Sequence, residues 1–134
     1  MIKEAYVSFE VAKLLKEKGF NEPCIATYNS TTKKFYIEEL YLDWSTQWKS
    51  RISAPTHQMA MKWLREIHDI IVVVEPHMYD YINSKTSNYV FCLWYGDNYE
   101  EPYSNQHSNI HGTIYNSYEE AVEAALKYSL EKLI

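Results

Sequence analysis

Apolar residues change their spacing several times along this chain, and each change marks an element. Phe9, Val11, Ala12, Leu14 and Leu15 recur at helical spacing behind Ser8, which can cap a first turn, and Gly19 follows as a left-handed terminator. The pattern predicts a helix over 9–18 with a lysine-rich outer side. From Phe20 the period shortens. Residues 24–28 and 35–41 are rich in β-branched and aromatic side chains and flank the polar stretch 29–34, which predicts a hairpin of two strands. Residues 42–53, with Trp44 and Trp48, follow neither period and read as a connection.

A second helix is predicted to begin near Thr56, its capping residue. Ala60, Trp63, Leu64 and Ile67 form one stripe, while His57, Gln58, Lys62, Arg65 and Glu66 are expected to face away. Residues 70–75 are β-branched on both faces, as in a central strand covered on each side, and Pro76 ends them. A weaker segment at 78–83 leads to a further strand at 89–95, which Gly96 and Asp97 terminate. Residues 96–116 contain only a short candidate strand at 111–115. Loops of this length tend to carry function. Ser117 and Glu120 have the spacing of a capping box, opening a helix whose apolar face is Ala121, Val122, Ala125, Leu126, Ser129, Leu130 and Leu133.

These elements predict one α+β domain spanning 1–134, in the order α-β-β-α-β-β-α. Four or five strands form a largely antiparallel sheet, with three amphipathic helices laid on one side of it. Trp63, Leu64 and Leu126 are expected in the core. An aromatic share of 16%, including thirteen Tyr and four Trp, supports a folded chain, because each ring offers a large burial. The formal charge of −5 repels a phosphate backbone and removes nucleic acid as the default partner. Lys13, Lys16 and Lys18 alternate with Glu10 and Glu17, which describes a solvated helix face. Neither a leader-like apolar stretch nor a membrane-length run is present, so a soluble, cytoplasmic protein is expected. Cys24 and Cys92 each fall within a predicted strand, where a buried free thiol is the expected state.

Residues 7–20, 53–68 and 118–128 together resemble a group of small, uncharacterised phage-related proteins of gut Bacteroidales. The resemblance covers a little under a third of the chain and rests on helices with their caps. It implies a shared fold and a mobile-element origin, and it brings no activity or catalytic residue with it.

Candidate chemistry is sparse. His107 and His111, with Asp97, Glu100 and Glu101 nearby, are the best metal-ligand set, but they fall in a loop where a four-residue spacing does not align two rings. Cys92 is flanked by apolar bulk that disfavours a reactive thiolate. The adjacent pairs Glu38–Glu39, Glu100–Glu101 and Glu119–Glu120 diverge on a strand or a helix, and the last pair reads as helix capping. Helix 9–18 is followed by strand rather than a recognition helix, which argues against a DNA-reading motif.

What remains is an aromatic and acidic set near loops: Trp44, Trp48, Tyr79, Tyr81, Tyr95, Tyr99 and Tyr103, with Tyr41 beside them. Rings with polar handles are enriched at binding surfaces. The chain is therefore expected to be a non-enzymatic binding protein that needs no cofactor or membrane and takes a protein partner, with a homodimer also open. The rivals are a small metal-dependent hydrolase built in the 96–116 loop on His107, His111 and Asp97, and an acidic imitator of nucleic acid.

Overall fold

The computed structural model describes residues 1–42, 50–77, 88–96 and 114–134, and of 38–42 only the backbone. Each helix begins at the cap its sequence announces. The Ser8 hydroxyl accepts the Val11 N–H at 3.2 Å and opens α1 (Phe9–Glu17). Thr56 accepts the Met59 N–H at 3.1 Å and opens α2 (His57–His68). Ser117 accepts the Glu120 N–H at 3.1 Å and opens α3 (Tyr118–Tyr128), whose axis continues through a π turn at Ser129–Leu133. Glu120 closes its box one residue early, taking the Asn116 N–H rather than that of Ser117. Gly19 follows α1 at φ +94°, and Asp69 ends α2 in the left-handed region at φ 56°.

The strands are β1 (Cys24–Asn29), β2 (Phe35–Leu42), β3 (Arg51–Ser53), β4 (Ile71–Pro76) and β5 (Tyr89–Trp94). Every pairing among the described residues is antiparallel. The expected hairpin is present as β1–β2, turned by Asn29, whose side-chain oxygen accepts the N–H groups of Thr31 and Thr32. The α+β class, the antiparallel pairing and the three helices agree with the sequence pattern. The strands, however, divide into two small sheets, ordered β2-β1-β3 and β4-β5 among the described residues.

Four further expectations need correction. Residues 51–53 are not connection but β3, which adds to the free edge of β1 with Thr27 opposite Ser53 and Asn29 opposite Arg51. Three residues are too few to show a period, so only the pairing reveals the strand. Residues 70–75 do not form a central strand covered on both sides: β4 pairs with β5 alone among the described residues, and Ile71 and Val73 are more than a third exposed. Their neighbours Val72 and Val74 pack on the core, opposite Leu93 and Phe91. In α2, Ile67 is 62% exposed, whereas His57, expected to face water, is buried.

The core lies where α3 crosses the other elements. α3 packs on both strands of the β4–β5 sheet and against α1 and α2. Val11, Leu15, Leu64, Leu93, Val122, Leu126 and Leu130 are almost wholly excluded from water. Trp63 is also buried, its ring 5.5 Å edge-on from Phe20 and 4.6 Å from His68. No described helix is long and apolar enough to cross a membrane.

Candidate functional site

The segment ahead of α1 determines where chemistry can gather. It lies beside the entry to α2: Val7 N–H donates to the Pro55 carbonyl at 3.0 Å, Tyr6 bridges Thr56, and His57 N–H donates to the Ala5 carbonyl at 2.8 Å. The first turn of α3 meets the same place. An open cleft of about 550 Å³ results, lined by Ala5, Tyr6, Ser8, His57, Tyr115, Glu119, Glu120 and Glu123. The starts of all three helices therefore face one concavity.

Glu123 joins the three elements. Its Oε1 accepts the Ser8 N–H at 2.8 Å and lies 2.9 Å from His57 Nε2. Burial alone would raise its pKa, but hydrogen bonds from His57 and from the Ser8 hydroxyl and N–H, with the attraction of His57, hold the carboxyl below its ordinary value. Helix starts carry partial positive charge, so a resident carboxylate among them is also favourable. His57 is 5% exposed, and its other ring nitrogen, Nδ1, is buried without a hydrogen-bond partner among the described residues.

Serine, histidine and glutamate thus meet, but in the wrong order for an acyl-transfer triad. Glutamate stands between the other two, and the Ser8 hydroxyl is engaged by the Val11 N–H and by Glu123 rather than activated by the imidazole. The arrangement is suited to holding a charged concavity in shape.

An aromatic cluster adjoins the cleft through Tyr6. Its ring lies 5.3 Å from Phe35, Phe35 lies 5.2 Å from Tyr28, and Tyr28 meets Phe9 edge-on at 5.7 Å. Tyr28 is fixed by donating its hydroxyl to the Val7 carbonyl at 2.7 Å. Phe35 and Ile37 stand 37% and 58% exposed at the border of this cluster. Tyr6 is therefore shared by an acidic cleft and an exposed apolar border.

Of the aromatic residues singled out in the sequence, Tyr95 is half-buried against the core. Trp44, Trp48, Tyr79, Tyr81, Tyr99 and Tyr103 lie outside the described residues, as do Asp97, His107 and His111. Among the described residues no group of three or more His, Cys, Asp or Glu side chains is placed to hold a metal ion. Burial pushes the Cys24 thiol up to about 12, with the Glu22 charge adding to it, and pushes Cys92 up to about 11, with the charge and hydrogen bond of Glu75 adding. Both thiols are buried and occupy different sheets.

Sequence reasoning missed the cleft because its members are far apart in the chain and each had a local explanation: Ser8 as a cap, Glu119 and Glu120 as capping residues, His57 as a surface residue. One signal was available. His57 shares a helical face with Ala60 and Leu64, so a histidine at that position requires a partner. Compared with known proteins, the chain has no significant match to a family model, a curated protein or a solved structure.

Proposed function

We propose that the protein is a non-enzymatic interaction module of mobile-element origin that holds a protein partner through aromatic and acidic side chains. The observation that carries this reading is the junction at Tyr6, where an exposed apolar border of Phe35 and Ile37 meets a cleft walled by Glu119, Glu120 and Glu123. Apolar anchors beside a polar rim are the usual anatomy of a protein interface. The mobile-element origin rests on the resemblance of the three capped helices. Trp44, Trp48, Tyr79, Tyr81, Tyr95, Tyr99 and Tyr103 extend the proposed contact set.

The test compares partners cross-linked from a cell lysate by the wild type, by a Phe35→Ala, Ile37→Ser variant and by a Trp44→Ala, Trp48→Ala, Tyr99→Ala variant, all at matched melting temperature. At least one variant should lose the principal partner. Its retention by both would overturn the reading.

A further inference from the structure

We propose that β4 is the seam of a symmetric homodimer, its free edge pairing antiparallel with β4 of a second copy so that Val72 lies opposite Val74 of that copy. This goes beyond the partner reading above and uses a different surface. Hydrogen bonding alternates along an antiparallel ladder, so a bond at one end phases the whole strand. His77 N–H donates inward to the Asn88 carbonyl at 2.9 Å. The register of β4 on β5 is unshifted, so Ile71, Val73 and Glu75 also turn their backbone groups inward, towards Trp94, Cys92 and Val90. Tyr89, opposite Pro76, fits the same phase, since it exchanges both its bonds outward with Tyr115 at 2.8 Å. The N–H and C=O groups of Val72 and Val74 therefore point away from β5. Among the described residues no group bonds them. What such a row of donors and acceptors fits is another strand.

The ends of this edge say which strand. Ile70 has given its N–H to the Leu64 carbonyl at 3.1 Å, and Pro76 has no N–H to give. Between those two stops, one self-pairing register satisfies every outward group: Val72 on Val74, repeated by symmetry, for four hydrogen bonds. Slipping to Val72 on Val72 leaves the Val74 carbonyl facing Ile70 without a donor. Slipping to Val74 on Val74 leaves the Val72 carbonyl facing Pro76 in the same state. A foreign strand would have to match both stops, and a second copy does so by its symmetry.

The side chains agree with this register. It sets Val73 against Val73 on the two-fold axis and Ile71 against Glu75, so no two carboxylates meet. Ile71 and Val73, 37% and 36% exposed, gain cross-strand neighbours. The two-stranded sheet becomes four-stranded, and because both free edges are used the assembly closes at two copies. The outer strand of the other sheet is a poorer seam, for β2 follows Lys33 and Lys34 and contains Glu38 and Glu39, charges that discourage edge pairing.

The test sediments the full chain from about 1 μM to about 1 mM, where a reversible monomer–dimer equilibrium is expected. Backbone amide exchange should slow at Val72 and Val74 as the dimer fills, with Val73 slow throughout. Val73→Lys places like charges across the axis and should weaken dimerisation about tenfold, as should Val73→Glu, whereas an equimolar mixture of the two should recover a heterodimer. A monomer at every concentration, assembly beyond two copies, a dimer indifferent to both substitutions, or folded variants that do not restore each other would each overturn the proposal. So would Val72 and Val74 amides that exchange alike in dilute and concentrated samples. Should circular dichroism show either variant unfolded, the wild-type amide exchange decides.

Discussion

Glu123 shows how one side chain acquires meaning only from distant neighbours. In the sequence it is a charge in the middle of a helix. In the fold it accepts hydrogen bonds from groups 115 and 66 positions away. Because its folded pKa lies below the ordinary carboxylate value, its stabilising contribution is complete above that value and is lost as pH falls through the lowered one. Glu123→Gln should cost about 1–3 kcal/mol near neutral pH, since it weakens two charge-assisted bonds. It should also flatten the acid limb of the stability curve below about pH 5. Urea midpoints measured from pH 7 to pH 3 check both, and a limb as steep as the wild type's would show that the linkage is wrong. His57 was misread from its polarity although its spacing placed it on the buried face. Ile67 was misread in the opposite sense, because a shared angular position does not ensure cover in the last turn of a helix.

Helices and hairpin were legible as elements because their determinants are local. Ser8, Thr56 and Ser117 each satisfy an N–H three positions on, a bond that requires no tertiary contact. Ser117→Ala should therefore destabilise the protein by about 1 kcal/mol, read as a lowered thermal midpoint, whereas Ser117→Asp should restore it. A loss as large as that of a core truncation would mean that Ser117 does more than cap. β3 was not legible, and neither was the exposure of one face of β4. A three-residue strand has no period, and a run of Ile and Val looks the same whether one face or both are covered.

Across the whole molecule α3 is the organising element, since it packs on the β4–β5 sheet, on α1 and on α2, and carries Glu123 on the same rod. Truncation at Leu126, which is fully buried, should cost about 2–5 kcal/mol. Far-ultraviolet circular dichroism and tryptophan fluorescence should lose their signals in a single coincident transition. Separate transitions would show that the two sheets fold as independent units rather than around one helix.

The sequence by itself determined the amphipathic helices, their caps and the hairpin, because hydroxyl caps, turn residues and periodic apolar faces act over three to six positions. The tertiary structure alone decided that the described strands form two sheets, that His57 meets Glu123, and that three helix starts gather around that pair. Those outcomes depend on closing loops of many tens of residues, and the partners that such closure brings together leave no mark on local spacing.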